Sequence, residues 1–331
     1  LTDYTKSVKY NTFDITDQVG RAQSNVVAVV LGNGRFFSTR YNGSGKMRHF
    51  GFPKMIAQIE ITYADGTRQT VASDATWKIT TEGPIRANNE FDGEDYDARK
   101  ELTDWTSAAY NDSDWLQAEK VAPPTGQLEA QTNRNIRVMD TVMPKKITQT
   151  APNVYVLDMG QNMVGWLQMK VRGKRGDTVT LRFAETLKPD GSIYTANLRS
   201  AAATDKYVCK GNAEESWEPK FVYHGFRYVE VKGMIDFRLT DFMGKVIYDE
   251  METIGSFTTS DTTLNQIYKN AFWGIRGNYH GIPTDCPQRD ERQGWLGDRT
   301  TGALGESFIF NNHDLYAKWL DDIAMAQLAN G

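Results

Sequence analysis

Apolar side chains recur with one period before Ser260 and with another after it, and this switch constrains the fold more than any other feature of the chain. Upstream they alternate with polar ones. In "AQIEITYADGTRQTV", Ile59, Ile61 and Tyr63 face one way, Gln58, Glu60 and Thr62 the other, and Asp65-Gly66 turns the hairpin. Such alternation builds an antiparallel sheet with one wet face. "VVAVVL", Val26 to Leu31, reads as a buried strand ending at the Gly32-Asn33-Gly34 turn. "WLQMKVRGKRGDTVTLRF" reads as a hairpin, with Leu167, Met169 and Val171 inward on one arm and Val179, Leu181 and Phe183 on the other. Gly173 and Gly176 lie in its turn. "FVYHGFRYVEV" and "KVIYDE" add strands. Short strands at this spacing predict two β-sandwiches in tandem, with Pro123-Pro124 marking a linker.

Downstream, Leu264, Ile267, Tyr268, Ala271, Phe272 and Ile275 form the stripe of an amphipathic helix, with Ser260 or Asp261 at its N-cap. A second helical stretch covers roughly Thr300 to Phe310. A third runs from about Asp314 to Leu328, with Leu315, Trp319, Leu320 and Ile323 as its stripe and Gly331 as a C-terminal stop. Three helices with broad apolar faces need partners. Either they pack on the sandwiches, or they open a larger helical domain.

Composition excludes several functions. At 331 residues, two or three domains are expected. A net charge of -4 gives no electrostatic reason to bind nucleic acid or an anionic membrane. No apolar run approaches the ~20 residues that span a bilayer. The chain opens on Leu1, directly in strand-like sequence, which suggests a fragment or a processed product. Two cysteines, Cys209 and Cys286, make no disulfide scaffold and leave the redox compartment open. His49, His224, His280 and His313 stand alone, without HExxH or CxxC, so no transition metal and no cofactor is expected.

Between the first two helices lies "TDCPQRDERQGWLGD", Thr284 to Asp298. Gly294 and Gly297 permit tight turns, and Pro283 and Pro287 restrict the chain entering them. One reading is a solvated, salt-bridged loop. The other is chemical. Glycoside hydrolysis takes one carboxylic acid to protonate the leaving oxygen and one carboxylate on the opposite face of the sugar. Glu291 has Asp285, Asp290 and Asp298 nearby to raise its pKa, while Arg289 and Arg292 pull the other way. An arginine fork and carboxylates suit sugar hydroxyls, and the indole of Trp295 suits the C–H face of the ring.

That stretch resembles the signature of the bacterial α-L-rhamnosidases, glycoside hydrolase family 78. "TDYTKSVKYNTFDIT", "ITYADGTRQTVASDATWKI", "FDGEDYDAR" and "FVYHGFRYVEV" resemble the family's N-terminal segments in the same order, so the similarity covers essentially the whole chain. The resemblance implies a multidomain, mainly β architecture: a rhamnose-binding-type β-sandwich over 1–140, incomplete at its start, a second antiparallel β-sandwich over 141–254, and the first helices of an (α/α)6 barrel over 255–331. It implies inverting hydrolysis of terminal α-L-rhamnosyl groups. By matched position Glu291 takes the general acid's place, Asp285, Arg289 and Trp295 fall where the family holds the sugar, and Asp298 is a further site carboxylate. Gln293 and Leu296 depart from the family's pattern at positions expected to vary. A closed barrel requires about twelve helices, and this chain supplies three. No residue matches the family's general base, so the chain by itself is expected not to turn over.

"FDGEDYDAR" places Asp92, Glu94, Asp95 and Asp97 together; a solvated acidic turn is the favoured reading, and calcium at Asp92, Glu94 and Asp95 is the alternative, since the family's N-terminal module binds it in some members. Cys286 is read as a packed thiol, His224 as a hydrogen-bonded core or rim residue, and Trp77, Trp105, Trp115 and Trp217 as core rather than sugar platforms. Three functions stand: the front portion of an α-L-rhamnosidase acting on a rhamnose-containing oligosaccharide or glycoside, a carbohydrate-binding protein without catalysis, and a helical-barrel glycosidase or lyase for another sugar. A bulky polysaccharide substrate favours a secreted or periplasmic location, whereas short imported glycosides would allow the cytoplasm. Nothing in the sequence bears on oligomeric state.

Overall fold

The computed structural model describes residues 2–20, 24–38, 50–233 and 236–331 and is mainly β with few helices; His49 lies outside the described residues. One ten-stranded sheet dominates. Its strands are β1 (Ile85–Asn89), β2 (Gly93–Asp97), β3 (Ile136–Val142), β4 (Lys146–Ala151), β5 (Val154–Val171), β6 (Thr178–Ala184), β7 (Thr204–Val208), β8 (Glu215–Trp217), β9 (His224–Lys232) and β10 (Phe242–Asp249). The order is β1-β2-β7-β6-β9-β5-β10-β3, with β4 and β8 also paired to β5. Neighbours run antiparallel except β2 and β7, where Tyr96 lies beside Tyr207 in parallel register.

The long β5 makes the sheet curl. Its register slips between Asp158 and Met163, and Gly160 and Gly165 take φ of 74° and 149°. Before the slip β5 pairs with β4 and β9; after it, with the start of β9 and then with β10 and β8. A sheet bent this way encloses its own core. Leu157, Leu167, Met169, Leu181, Phe183, Phe226, Val229 and Phe242 are fully buried there. Burying each such side chain contributes roughly 1.5–3 kcal/mol.

Two sequence expectations fail here for physical reasons. The stretch from Trp166 to Phe183 is not a hairpin: β9 lies between β5 and β6 and pairs with both. The inward residues were nonetheless placed correctly, because alternation reports which face is buried, not which strand is adjacent. Val26 to Leu31 form no strand, and Val26, Val27, Val29, Val30 and Leu31 are all exposed. Their backbone finds no ladder partner among the described residues. The rest of the N-terminal segment supplies two-stranded pieces, of which Gln58–Thr62 with Arg68–Ala72 is the expected hairpin, Ile59 opposite Val71. Ser7–Tyr10 pairs with Gln127–Ala130, and Lys78–Ile79 with Leu116–Gln117. The strands β1, β2 and most of β3 come from the segment before residue 140 yet belong to the large sheet.

The helices follow the last strand. In α1 (Thr262–Arg276) the Asp261 carboxylate accepts the N–H groups of Thr263 and Leu264, at 2.7 and 3.3 Å. At its other end Arg276 is buried against the Trp273 ring, 3.6 Å from the centroid, and lies 3.6 Å from the Asp140 carboxylate on β3. That docks the helix on the sheet. Of the second expected helix, Thr300 to Phe310, only α3 (Ala303–Ser307) forms, and a further short helix, α2 (Leu296–Thr300), precedes it across a break at Gly302. Across the break, buried Glu306 accepts hydrogen bonds from Arg299 (2.7 Å), Tyr279 (2.5 Å) and Tyr316 (2.7 Å), tying both pieces to α4 (His313–Ala326). The apolar stripes are only partly covered: Leu264, Ile267 and Leu320 stay exposed while Leu315 and Trp319 are buried. No described helix is long and apolar enough to cross a membrane.

Two measurements check this packing. A Cβ at Gly165 would lie 1.7 Å from the Lys245 carbonyl oxygen of β10, so Gly165→Ala should cost about 3 kcal/mol or more in chemical denaturation; an unchanged midpoint would contradict the close approach. Burial pushes the thiols of Cys209 and Cys286 up to about 11. Both should react with a thiol reagent at pH 7.5 at least about a hundredfold slower in the native chain than in urea; comparable rates would place them elsewhere.

Candidate active site

The segment between α1 and α2 is fixed before it presents any charge. Asp249, at the end of β10, exchanges hydrogen bonds with it, its main-chain N–H donating to Tyr279 and its carboxylate accepting from the Gly281 N–H at 2.6 Å. Burial raises that carboxyl to about 6. Arg292 has a positive φ of 52° and a side chain that turns down, not out. Its Nη1 donates to the carbonyls of Glu90 (2.5 Å) and Tyr223 (3.1 Å), and its guanidinium lies 4.5 Å over the Tyr223 ring. His280 also stacks on Tyr223, and burial drives it down to about 3 and so keeps it neutral. The expectation that Arg292 would act on Glu291 is corrected: it is buried in this stack.

With the loop so held, Glu291 points at a ring of donors. Its Oε2 accepts from Arg199 Nη1 at 2.8 Å and from Arg289 Nε at 3.1 Å, and its Oε1 accepts the Trp295 indole N–H at 3.0 Å. Arg289 Nη2 also reaches Asp285 Oδ2 at 3.4 Å, bridging the two carboxylates. Asp285 has a side chain only 2% exposed, and its Oδ1 accepts the Gln293 N–H at 2.6 Å. Trp295 N-caps α2 and is 52% exposed, so its ring faces solvent while its N–H is fixed. Asp298, in the first turn of α2, is exposed and shares with Asp285 the wall of an open cleft against Ala271, Gly274 and Ile275 of α1.

The contest over Glu291 is decided by this geometry. Partial burial pushes its pKa up, but the Trp295 N–H, Arg289 and Arg199 outweigh that and hold it below the ordinary carboxylate value. The group is therefore ionised at neutral pH. Asp290 turns to a different partner, accepting the Ser200 hydroxyl.

The structure therefore brings Glu291, Asp285, Arg289 and Trp295 into direct contact and sets Asp298 at the adjoining cleft. Sequence reasoning missed Arg199, which follows a short 3-10 turn (Ala196–Leu198) and lies 92 residues from Glu291. It also missed Arg35, whose Nη2 donates to the Arg292 carbonyl at 3.1 Å and pairs with Glu90 at 3.0 Å. No local pattern marks either one.

Oxygen and sulfur atoms of Asp285, Cys286 and Glu291 lie within 4.8 Å of one another, the one such group among the described residues. Arg289 bridges its carboxylates and burial keeps its thiol protonated, so the donor set does not suit a cation. The acidic turn is dispersed. Glu94 is buried on the N–H groups of Lys220 and Phe221, and burial raises it to about 7. Asp95 pairs with Lys206 at 3.3 Å, and Asp92 accepts the Ala202 N–H. His224 is a buried residue bonded to Asp205 at 3.0 Å. Trp217 is buried and the other three named tryptophans are half-buried.

Comparison with known proteins matches this layout in order. Residues 1–140 match the α-L-rhamnosidase N-terminal domain, 148–248 the bacterial α-L-rhamnosidase concanavalin-like domain, and 252–331 the bacterial α-L-rhamnosidase 6 hairpin glycosidase domain. An α-L-rhamnosidase of Streptomyces avermitilis is 41% identical over the whole of this chain, which covers 32% of that protein. The solved α-L-rhamnosidase of Dictyoglumus thermophilum superposes with a TM-score of 0.92 at 39% identity, over 100% of this chain and 36% of that one. The Streptomyces avermitilis enzyme, solved as its complex with L-rhamnose, superposes with a TM-score of 0.87 at 38% identity, over 99% of this chain and 32% of that one. The chain thus spans about a third of the length of the relatives it matches. With three consecutive domain matches and identity along its full length, the chain belongs to the bacterial α-L-rhamnosidase family.

Proposed function

We propose that this chain is the leading portion of an inverting α-L-rhamnosidase and carries the acid side of its active site. The observation that supports this most is the Glu291 carboxylate, held by two arginines and bonded to the N–H of an exposed indole, with Asp285 of the same cluster lining an open cleft. In this reading Trp295 stacks on the sugar ring, Asp285, Arg289 and Asp298 take its hydroxyls, and Glu291 passes its proton to the glycosidic oxygen as the C–O bond breaks. Water adds to the anomeric carbon from the opposite face and gives its proton to a second carboxylate.

That second carboxylate is not Asp285. An inverting pair stands roughly 6.5–9.5 Å apart to admit the water, whereas Asp285 and Glu291 present oxygens within 4.8 Å. Asp285 is also buried, with both oxygens bonded. The base is therefore assigned outside these residues, and α1 to α4 are read as the opening of an (α/α)6 barrel that would supply it. Residues 1–140 and 141–254 are read as the two sandwiches, the first of rhamnose-binding type. The natural substrate is a glycoside or oligosaccharide with terminal α-L-rhamnose; the rhamnose-bound relative supports that choice.

For Glu291 to act as the acid, substrate must return its proton. A sugar seated on Trp295 would exclude water from a carboxyl whose side chain is still 20% exposed, and desolvation raises a carboxyl pKa.

Two assays test the reading. In the complete protein, Glu291→Gln should lower kcat/KM on an aryl α-L-rhamnoside by roughly 10²–10⁴-fold, and other aryl glycosides should stay intact; equal cleavage of another glycoside would reassign the sugar. The 331-residue chain alone should show no turnover. A clear rate from it, abolished by Glu291→Gln, would refute the assignment of the base.

A further inference from the structure

The donors around Glu291 are not equivalent. Arg289 sits in the same loop and is shared with Asp285. Trp295 holds the other oxygen from the start of α2. Arg199 comes from a different part of the chain, its side chain is 51% exposed, and among the described residues its guanidinium bonds to Glu291 alone. Its backbone takes φ 57°, which L side chains rarely adopt. Neighbouring bonds hold it there: Ser200 to Asp290, the Ala202 N–H to Asp92 at 3.2 Å, and the Ala203 N–H to the Phe91 carbonyl at 3.1 Å. A half-exposed guanidinium on a firmly held turn can swing off its partner without moving the loop.

We infer that Arg199 is a positioning residue for Glu291, a clamp supplied from the β-rich part of the chain that holds Oε2 and must leave it before that oxygen can take up a proton. With Arg199 in place Oε2 has two guanidinium donors and no room for a hydrogen of its own. Once it leaves, Arg289 and Trp295 still orient the carboxyl, and Oε2 is open to a proton from solvent and then to the leaving oxygen. The other groups facing Glu291 do not share this role. The side chains of Asp285 and Cys286 lie within 4.8 Å but are buried, and Arg35 approaches only the Glu291 main-chain carbonyl, at 3.5 Å. The catalytic meaning of the clamp rests on Glu291 being the acid; the clamp itself does not.

The test separates the two. Trp295 reports on Glu291 through its N–H bond, so the pH titration of tryptophan emission in the 331-residue chain, taken as the difference from Glu291→Gln, follows protonation at position 291. Removing a cation raises a carboxyl pKa, so Arg199→Met should move the midpoint up by about 1 pH unit, and Arg199→Lys should stay nearer the wild type. Arg199→Gln carries the same expectation should the methionine variant fold poorly by circular dichroism. In the complete enzyme the basic limb of kcat/KM, where the acid loses its proton, should shift upward by the same amount. Midpoints agreeing within about 0.3 pH unit would overturn the inference, since a clamp of this kind must shift them. A shifted midpoint in a protein that cleaves no rhamnoside would leave the clamp standing and remove the rhamnosidase reading.

Discussion

Arg292 is 1% exposed and carries its charge into the seam between Phe91 and Tyr223, where it hydrogen-bonds the main-chain carbonyls of Glu90, Tyr223 and Arg289. A buried guanidinium that loses its acceptors is destabilising by roughly 3–5 kcal/mol, whereas each exposed ion pair is worth about 0–1 kcal/mol. The larger interaction decides the geometry. It pins the charged loop to the sheet and to the end of β1, and the side chains of Arg289, Glu291 and Trp295 are then presented together. The pairs around Glu291 tune a group whose position is already determined.

That tuning bears directly on the proposed chemistry. A carboxylate with two guanidinium donors and an indole N–H is ionised at neutral pH, which a general acid must not be at the moment of reaction. In the proposed reading Glu291 is held as an anion until a sugar on Trp295 supplies the desolvation that returns its proton. The contacts on Glu291 span two of the matched family segments: Arg199 lies in the concanavalin-like segment, the other donors in the glycosidase segment. The charge state of Glu291 is thus a property of how the segments pack, as well as of the motif.

Much of this was legible in the sequence. Period 3.6 and a capping residue at Ser260 or Asp261 located α1 and its start to within a residue, since both are local signals. Alternation identified the buried faces of β5 and β6 but joined them as a hairpin, because which strand inserts between them depends on contacts dozens of residues away. The apolar run from Val26 to Leu31 read as core, yet burial needs a partner strand as well as apolar side chains. The charged motif named Glu291, Asp285, Arg289 and Trp295 because loop residues this close in sequence cannot lie far apart. Arg199 and Arg35 were invisible, since nothing in their neighbourhoods reports a partner 92 or more residues on. Arg292 was seen but misassigned, because mixed charge in a loop reads as solvated until a buried acceptor is found for it.

The central claim is spatial: the carboxyl at position 291 meets the glycosidic oxygen of a bound rhamnoside. A crystal structure of the complete Glu291→Gln protein with an uncleaved aryl α-L-rhamnoside measures it directly. The account places the side chain at position 291 about 3 Å from that oxygen, with the sugar ring on Trp295 and its hydroxyls toward Arg289 and Asp285. A rhamnoside bound elsewhere, with Trp295 bare and position 291 beyond hydrogen-bonding reach of the glycosidic oxygen, would contradict it.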